Sequence, residues 1–513
     1  MTENAKPRSL EFFAERAPER IALCEGSRTL SWADWNAQAD RLAEQLHAHA
    51  GIGRGDFVAL CMQNRLEWFV TQAATAKLDA SLVPVSFRLT PAEIQYIVKD
   101  SGARAFVFDL EDVDGLARVW TDSAVRVSVS LMRSQRPDVL SFHEVSQTGP
   151  RVVRYAQHAP RAIVYTSGTT GRPRGVVSKR DTSARPGPDS DSPPPSAAGR
   201  EPPRNLLGAP LNHAAGQASA RATLATGGCV YIMPRFDAEE ALRVIDRERI
   251  TTTFLVPTML NRIVSLPETV RARYDVSSIE SLITGASPCP QSVKEKVIAY
   301  FGAHCLLESY GSTEVGLVSR MLPEDHLAKP GSCGRIRENV EVRIVDAQGN
   351  LQPAGGIGEI HVKTPTMIER YLNEAPPREL VDGFWATGDV GHFDHDGFLY
   401  IVDRKKDMII AGGVNIYPAE IEQALRKHPA VFDAAVFGIP HAEWGEEVKA
   451  VVECVDGKSV SEADLLAFVS SELAGYKQPR SIEFVAEIPR NAAGKVLKAQ
   501  LRAPYWAATG KAI

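Results

Sequence analysis

The chain of 513 residues is long enough for several hydrophobic cores, since a domain typically takes roughly 100 to 200 residues. Its 44% hydrophobic and 24% charged residues are typical of a globular protein, and the net charge of -5 gives no indication of a nucleic-acid partner. The N-terminal segment MTENAKPRSLEFFAERAPER lacks the apolar stretch of a signal peptide, and no apolar run reaches the length of a transmembrane segment, so we expect a cytoplasmic protein.

Short apolar runs alternate with helical patterns over the first hundred residues. Ser31 can cap a helix whose apolar residues recur at helical spacing, and Thr90-Pro91-Ala92-Glu93 is a capping box with proline at the first helical position. Repeated strand-helix units predict a mostly parallel sheet covered by helices, an α/β fold. The sequence predicts strands at 57–61, 81–85 and 105–108 and a helix at 66–76.

The character of the chain changes twice further along. Residues 178–204 are rich in Pro, Ser, Arg and Asp, so we expect an irregular or disordered tract. The α/β alternation resumes at Asn205, and residues 334–362 are typical of paired strands that form a small β-barrel-like part. A small α+β module then begins near 403–407, with helices at 420–427 and 462–473 and strands at 434–437 and 448–454.

The stretch YTSGTTGRPRGV at 165–176 has the composition of an anion-binding loop. Missing glycine side chains let backbone N–H groups approach a phosphate, and hydroxyls supply further donors. It is not a Walker A loop, because no Gly-Lys-Ser/Thr follows at the required spacing. The apolar run 161–165 before it predicts a strand with the loop leaving its end. The hydroxyl residues are Thr166, Ser167, Thr169 and Thr170, and the glycines are Gly168, Gly171 and Gly175.

Five further motifs occur in a fixed order: YGSTE at 310–314, ATGD at 386–389, DRKKDMIIAGGVNIYPAEIE at 403–422, AGYKQPR at 474–480 and PRNAAGK at 489–495. With the glycine-rich loop, they make the chain similar to the adenylate-forming (AMP-binding) superfamily over essentially its whole length. In detail it resembles the AMP-forming acyl-CoA ligases of fatty or aromatic acids. The resemblance implies a large N-terminal domain, residues 1–403, and a small mobile C-terminal domain, residues 404–513.

The resemblance implies that ATP activates a carboxylic acid as acyl-AMP with release of pyrophosphate, and that coenzyme A then accepts the acyl group. The glycine-rich loop with Arg174 would hold the β- and γ-phosphates, Glu314 would bind Mg²⁺, and Thr313 would reach the α-phosphate. Tyr310 would stack on adenine, and Asp389 with Arg404 would bind the ribose. The residues expected to line the base are Gly285, Ala286 and Ser287, and Ser309 and Gly311 are further residues expected to bind the nucleotide.

Four further positions carry roles that the resemblance implies. Lys495 would bridge the substrate carboxylate and the α-phosphate during adenylation. Lys406 would be the hinge about which the small domain turns between the two half-reactions, and Gly412 and Gly413 would then line the pantetheine tunnel. His213, in APLNHAAG, would gate the acyl pocket; the alternative is a purely structural histidine.

Three departures from the family pattern leave alternatives open. Arg174 stands where relatives carry lysine, and Asn212 where an aromatic residue is common. The tract 178–204 replaces a helix that borders the acyl pocket in relatives, and it is either a disordered lid or the product of a local reading-frame shift. The alternatives to a CoA ligase are an acyl-AMP ligase that loads a carrier protein, a catalytically weakened ligand-binding relative and, more remotely, a luciferase-like oxygenase. The acid and the oligomeric state are not readable from the sequence.

Overall fold

The structure is a computed structural model that describes residues 10–156, 161–167, 173–178, 201–375, 377, 379–412, 414–491 and 495–507. Gly168, Thr169, Thr170, Gly171 and Gly413, which the sequence singles out, lie outside these residues. So do residues 179–200, most of the Pro/Ser-rich tract. Within the described ranges, no helix combines the length and the apolar composition that crossing a bilayer requires.

Helices and strands alternate along most of the described chain. The helices are α1 (Leu10–Arg16), α2 (Trp32–Ala50), α3 (Leu66–Lys77), α4 (Pro91–Ser101), α5 (Ala117–Thr121), α6 (Ala214–Leu224), α7 (Ala238–Glu248), α8 (Pro257–Val264), α9 (Glu268–Arg271), α10 (Gln291–Phe301), α11 (Pro418–Arg426), α12 (Glu462–Ser470) and α13 (Lys498–Trp506). The first fourteen strands are β1 (Ile21–Glu25), β2 (Arg28–Ser31), β3 (Phe57–Cys61), β4 (Ser81–Val85), β5 (Ala105–Phe108), β6 (Val127–Ser130), β7 (Val139–Ser141), β8 (Arg161–Ala162), β9 (Val164–Ser167), β10 (Pro173–Ser178), β11 (Arg204–Leu207), β12 (Cys229–Ile232), β13 (Thr252–Phe254) and β14 (Ser281–Gly285). The others are β15 (Leu306–Ser312), β16 (Gly316–Met321), β17 (Ser332–Ile336), β18 (Glu341–Val345), β19 (Gly358–Lys363), β20 (Ile368–Tyr371), β21 (Leu380–Val381), β22 (Phe384–Phe393), β23 (Phe398–Arg404), β24 (Ile409–Ala411), β25 (Val414–Ile416), β26 (Val431–His441), β27 (Gly445–Cys454) and β28 (Ser481–Val485).

Local capping signals place two of the N-terminal helices where the sequence predicts them. The Ser31 side chain accepts a hydrogen bond from the Asp34 amide at the start of α2. At the start of α4, Thr90 and Glu93 form both hydrogen bonds of a capping box, and Pro91 is the first helical residue. The strands β3, β4 and β5 also match the predicted bounds, and they lie parallel in a six-stranded sheet of order β7-β6-β5-β3-β4-β8.

The largest sheet joins a parallel half to an antiparallel half. Its order is β18-β19-β22-β23-β17-β16-β15-β14-β13-β11-β12-β1-β2, with β21 paired to β22. The strands from β15 through β14, β13, β11 and β12 to β1 are parallel, whereas those from β15 through β16, β17, β23, β22 and β19 to β18 are antiparallel. The fold is therefore α/β as predicted, and the predicted β-rich part continues the same sheet. Strand β15 lies at the change of direction, where open α/β sheets commonly bind ligands.

The strand predicted at 161–165 differs from the one observed. Residues Arg161 and Ala162 pair with β4, whereas Val164 to Ser167 form β9, which pairs antiparallel with β10 in a three-stranded sheet of order β20-β10-β9. The chain changes sheets at Ile163, whose amide still donates to the Leu82 carbonyl. The glycine-rich loop therefore connects two antiparallel strands, with Ser167 opposite Pro173, instead of leaving a parallel strand.

The C-terminal strands form a separate five-stranded sheet. Its order is β25-β24-β27-β26, and β28 pairs with β27. Residues of α11 and α12 pack on this sheet around buried Ile421 and Leu465. The module contacts the large sheet through Asp403, whose carboxylate accepts a hydrogen bond from the Ala419 amide at 2.8 Å. The domain boundary between residues 403 and 404 stays a prediction.

Candidate active site

Three side chains from distant motifs meet at the antiparallel part of the large sheet. Asp389 in β22 and Arg404 at the end of β23 are directly opposite each other, and the Arg404 Nε lies 2.9 Å from the Asp389 Oδ1. The Tyr310 hydroxyl donates to the other carboxylate oxygen, Oδ2, at 2.8 Å. The Thr387 hydroxyl accepts from the Asp389 amide at 3.1 Å and fixes the turn that presents the carboxylate. Sequence motifs 79 residues apart thus form one hydrogen-bonded unit.

The charges in this unit reinforce one another. Burial and the neighbouring Asp389 carboxylate raise the pKa of Tyr310 well above its ordinary value, so Tyr310 stays a neutral hydrogen-bond donor. The Asp389 carboxylate also raises the pKa of Arg404. Asp389 is 6% exposed, yet its two oxygens retain lone pairs beyond the contacts to Tyr310 and Arg404. It can therefore still accept hydrogen bonds from a diol.

The end of β14 lies beside Tyr310 and presents backbone instead of side chains. Gly285 is opposite Ser309 of β15, and a Cβ on Gly285 would lie 2.5 Å from the Ser309 carbonyl oxygen, so the close approach requires glycine. The next residue, exposed Ala286, has a left-handed backbone with φ of 67°, and Ser287 follows, half-buried. Non-glycine residues in this conformation cost of order 1–3 kcal/mol and cluster at functional sites.

The turn from β15 to β16 carries Thr313 and Glu314. This hairpin is tight, because a Cβ on Gly311 would lie 2.1 Å from the Gly316 carbonyl oxygen. The Glu314 carboxylate oxygen Oε1 accepts a hydrogen bond from the Thr166 hydroxyl at 3.2 Å. The turn that carries Glu314 therefore lies against β9, the strand that enters the glycine-rich loop.

Glu314 and Thr166 supply hard oxygen donors of the kind that Mg²⁺ prefers. Among the residues that the structure describes, no group of three or more His, Cys, Asp or Glu side chains is placed to hold a metal ion. This donor set fits an ion that takes most of its ligands from phosphate and water and only one or two from the protein.

Arg174, the predicted phosphate ligand, is directed toward carboxylates. Its guanidinium carbon lies 3.7 Å from the centre of the Tyr371 ring, and its nitrogens lie 3.5 Å from Glu374 and 3.9 Å from Glu379. Burial raises the pKa of Tyr371, with a further contribution from the Glu314 charge, which places Tyr371 near the Glu314 turn. In this structure Arg174 therefore packs on Tyr371 near the Glu314 turn. The region between this turn and the unit of Tyr310, Asp389 and Arg404 is called the cleft below.

Lys495 reaches the cleft from the C-terminal module. Its amide donates to the Asn491 side-chain oxygen and its carbonyl accepts from the Asn491 amide, both at 2.9 Å. The lysine is exposed, but surrounding protein atoms exclude part of its hydration and lower the pKa of its ammonium. Arg404 and Lys406 lower that pKa further, whereas Asp389 and Glu314 raise it. A cation from the C-terminal end of the chain thus shares the cleft with both predicted nucleotide-binding carboxylates.

His213 precedes α6 and is half-buried. Burial lowers its pKa to about 4, and the nearby positive charges of Lys495 and Arg88 contribute to this shift. At neutral pH the imidazole is therefore uncharged, and its Nε2 lies 3.4 Å from the side-chain nitrogen Nδ2 of Asn212. His213 and Lys495 lie near enough to interact electrostatically, so the histidine borders the same cleft.

The remaining predicted positions lie at the edges of this arrangement. Gly175 in β10 packs against the Tyr165 ring, which lies 3.0 Å from where a Cβ would be. Lys406 is exposed in the turn after β23. Gly412 lies in the hairpin of β24 and β25, where its amide donates to the Trp444 carbonyl at 2.9 Å.

Sequence reasoning missed three residues at the cleft. Thr387 lies in the ATGD motif, so its proximity to Asp389 was readable from the sequence. Tyr371 and Arg88 carry no signal of this kind, because their contacts with the cleft join segments that are far apart in the chain.

Comparison with known proteins identifies the family of this chain. Residues 10–372 match the AMP-binding enzyme family, and residues 420–495 match the AMP-binding enzyme C-terminal domain.

Two relatives and one solved structure illustrate the similarity. A feruloyl-CoA synthase of Amycolatopsis is 34% identical over 95% of this chain and 96% of its own length. A fatty acid–acyl-carrier-protein ligase of Streptomyces coeruleorubidus is 34% identical over 96% of this chain and 95% of its own. The structure of the o-succinylbenzoate CoA synthetase of Bacillus subtilis, in complex with its acyl-adenylate intermediate, superimposes with a TM-score of 0.80 at 30% identity, covering 97% of this chain and 98% of the other. The chain therefore belongs to the AMP-binding enzyme family, the adenylate-forming superfamily that includes the acyl-CoA synthetases.

Proposed function

We propose that the protein is an ATP-dependent acid–thiol ligase that activates a fatty or aromatic carboxylic acid as acyl-AMP and transfers the acyl group to coenzyme A. The observation that carries the proposal is the meeting of Tyr310, Asp389 and Arg404 from three separate motifs. The charges of Asp389, Arg404 and Glu314 also act on the pKa of the Lys495 ammonium. The similarity to feruloyl-CoA synthase supports coenzyme A as the acceptor and an aromatic acid as a substrate class.

The nucleoside of ATP would bind at the Tyr310 unit. Asp389 accepts hydrogen bonds from the two ribose hydroxyls while Arg404 holds the carboxylate in place. The Tyr310 hydroxyl is already bonded to Asp389, which orients the ring for stacking on adenine. The edge of the base would lie along the backbone of Gly285 to Ser287, at the point where Gly285 approaches Ser309 closely.

The phosphates would extend toward Glu314 and Thr166. The residues of this chain that would hold Mg²⁺ are Glu314 and, through its hydroxyl, Thr166. A bound Mg²⁺ would neutralise part of the triphosphate charge. Thr313, next to Glu314 in the same turn, would donate to the α-phosphate.

Adenylation requires two anions to meet, because the substrate carboxylate attacks the α-phosphorus and pyrophosphate leaves. A cation that touches both groups lowers this electrostatic cost. Lys495 supplies it from the small C-terminal module. His213 is uncharged at neutral pH and would border the acyl group without competing for the carboxylate.

Transfer to a thiol needs neither pyrophosphate nor Lys495. The thiol attacks the carbonyl carbon of the acyl-adenylate and AMP leaves. We propose that the module after Lys406 turns for this step, removes Lys495 and presents the hairpin of Gly412.

A panel of fatty and aromatic carboxylic acids, assayed for pyrophosphate and AMP release with and without coenzyme A, tests the function. A CoA ligase releases AMP in multiple turnovers only when coenzyme A is present, and the acyl-CoA product is identified by mass spectrometry. If pyrophosphate is released in the presence of coenzyme A but no acyl-CoA forms, coenzyme A is not the acceptor.

The second candidate is an acyl-AMP ligase that loads a carrier protein. It is favoured by the 34% identity to a fatty acid–acyl-carrier-protein ligase. In that case acyl-AMP accumulates in the presence of coenzyme A and is consumed when a phosphopantetheinylated carrier protein is added. If no acid in the panel gives an adenylate, the protein is instead a catalytically weakened ligand-binding relative, as the Arg174 contacts to Glu374 and Glu379 would favour.

A further inference from the structure

A pair of thiols lies outside the cleft, on the parallel half of the large sheet. Cys24 in β1 and Cys229 in β12 are 205 residues apart in sequence, yet their Sγ atoms are 3.6 Å apart. The two strands are parallel neighbours, with Cys24 opposite Tyr231, so Cys229 lies on the same face two positions earlier. A disulfide has an S–S distance of about 2 Å, so the two sulfurs, which are 3.6 Å apart, must move closer by roughly 1.6 Å.

Backbone contacts fix both cysteines before any reaction. Cys24 is paired with Thr29 on one side and with β12 on the other. The Cys229 amide donates to the Pro203 carbonyl at 3.0 Å. Gly228 permits this approach, because a Cβ there would lie 2.3 Å from the same carbonyl oxygen. The two thiols are therefore held at diagonal positions of neighbouring strands, and forming a disulfide requires a small shift between β1 and the start of β12 in addition to side-chain rotation.

The surroundings favour a thiolate at Cys24. The hydrogen bond with Cys229 lowers the pKa of Cys24, and the positive charge of Arg204 acts in the same direction, while burial and Glu248 oppose them. The same hydrogen bond raises the pKa of Cys229. Both side chains are half-buried and not sealed in the core. Either sulfur can donate this hydrogen bond, so the pair can supply one attacking thiolate and one resolving thiol, and Arg204 favours the thiolate form of both.

The other thiols differ in their surroundings. Burial raises the pKa of Cys305 to about 11 and that of Cys333 to about 12, and it also raises the pKa values of Cys61 and Cys289. Cys454 is half-buried, and it provides a matched control because it lies in β27 of the small sheet.

We propose that Cys24 and Cys229 are a site of reversible oxidation, at which hydrogen peroxide or an organic hydroperoxide forms an intramolecular disulfide between β1 and β12. This site is independent of the ligase function. The Cys24 thiolate attacks one peroxide oxygen, the O–O bond breaks, and the departing hydroxide takes up the thiol proton as water. The Cys229 sulfur then attacks the Cys24 sulfenic acid, the S–S bond forms, and the hydroxyl leaves with the Cys229 proton as a second water. Two thiols lose two electrons, and hydrogen peroxide is reduced to two waters; with an organic hydroperoxide, the first leaving group is the alkoxide, and the products are one alcohol and one water.

The disulfide would close a loop of the chain between Cys24 and Cys229. The glycine-rich loop, the Pro/Ser-rich tract and His213 all lie within this interval. Such a long covalent loop restricts the unfolded chain strongly, so oxidation should stabilise the folded protein. A thiol reductant should restore the starting state.

The test uses the full chain, first fully reduced, then treated with hydrogen peroxide, alkylated and mapped by mass spectrometry without reduction. We expect one dominant cross-linked species that joins the peptides containing Cys24 and Cys229, its loss on addition of dithiothreitol, and a rise of a few degrees in the midpoint of thermal unfolding.

Three variants control the experiment. Cys24→Ser and Cys229→Ser should each abolish the cross-link and the thermal shift, whereas Cys454→Ser should retain both. The reduced Ser variants should unfold near the midpoint of the reduced parent, which separates oxidation from a structural role of the thiols. The proposal is overturned if both cysteines remain alkylated after peroxide treatment, if Cys24 is oxidised without the cross-link, or if the cross-link joins two molecules.

Discussion

The two sides of the cleft are built in different ways. The proposed nucleoside side is a cross-strand pair: Asp389 and Arg404 are opposite each other in β22 and β23, and the Tyr310 hydroxyl completes the unit. The opposite side is a single exposed lysine, Lys495, held by two hydrogen bonds to Asn491 at 2.9 Å. Under the proposed function, the large sheet would fix the side that holds the nucleotide throughout, whereas the small module would supply a group that only one step needs. Substitutions on the two sides should therefore affect different half-reactions.

The largest effect is expected for Lys495→Ala. Removing the cation should slow adenylation by about 100- to 1,000-fold, because the repulsion between carboxylate and α-phosphate is no longer offset. Thioester formation from supplied acyl-adenylate should be unchanged. The two steps are measured separately as pyrophosphate release and as acyl-CoA formation, and equal losses in both would contradict the assignment of Lys495 to one step.

Asp389→Asn should weaken both half-reactions. The substitution removes the charge that pairs with Arg404 and alters the acceptors for the ribose hydroxyls, and a hydrogen bond to a charged group contributes about 1.5–3 kcal/mol. We expect KM for ATP to rise about 10- to 100-fold, with a similar loss of affinity for acyl-adenylate. Titration with ATP and with a non-hydrolysable acyl-adenylate analogue measures the two effects. If Asp389→Asn impaired only adenylation, it would affect the same half-reaction as Lys495→Ala, and the two sides of the cleft would not differ in the steps that they serve.

A smaller change is expected for Tyr310→Phe. The ring that would stack on adenine is kept, and only the hydroxyl that donates to Asp389 at 2.8 Å is lost. A hydrogen bond of about 1 kcal/mol corresponds to roughly a fivefold increase in KM for ATP. Tyr310→Ala is the matched comparison and should be considerably worse, since it also removes the ring. Equal effects of the two variants would show that the ring itself contributes nothing.

The pH dependence distinguishes the lysine side from the histidine beside it. Adenylation should decline as pH rises through the pKa of Lys495, which lies below the ordinary value of 10.5, because the neutral amine no longer offsets the anions. Lys495→Arg should move this decline to higher pH if it retains activity. If the rate of adenylation falls at the same pH in an active Lys495→Arg variant, the titrating group is not Lys495.

His213 should instead affect stability on the acid side. Its pKa is about 4 in the folded protein against an ordinary 6.5, so the unfolded chain binds the proton first. Stability should therefore fall as pH falls from about 6.5 toward 4, and His213→Gln should reduce this dependence. Thermal unfolding across this range, with parent and variant compared at each pH, measures the difference.

Features that local sequence determines were predictable. The caps at Ser31 and Thr90 depend on residues three positions away, and the structure confirms both. The family motifs likewise indicated which residues meet in the cleft. Contacts between distant segments were not predictable: the stacking of Arg174 on Tyr371 joins residues almost 200 positions apart, and a lysine at position 174 would not favour the same planar stacking. The same reason explains the error at 161–165, where pairing of β9 with β10 competes with the six-stranded sheet.

The last residues of β23 determine how much of the cleft can remain in place when the small module turns. Arg404 is in register with Asp389, and the Lys405 amide still donates to the Gly388 carbonyl at 2.8 Å. In the described part of the chain, the register of β22 with β23 ends at Arg404 and the next backbone hydrogen bond to the β22 side comes from Lys405, so Lys406 lies in the turn beyond the paired strand end. The proposed rotation, if it begins there, would leave the Asp389–Arg404 pair intact, so an acyl-adenylate held by that pair would stay attached through its ribose while its surroundings are exchanged. Such retention limits leakage of a hydrolysable intermediate into water, and it makes the rate of adenylate escape a direct measure of how firmly this strand end is held.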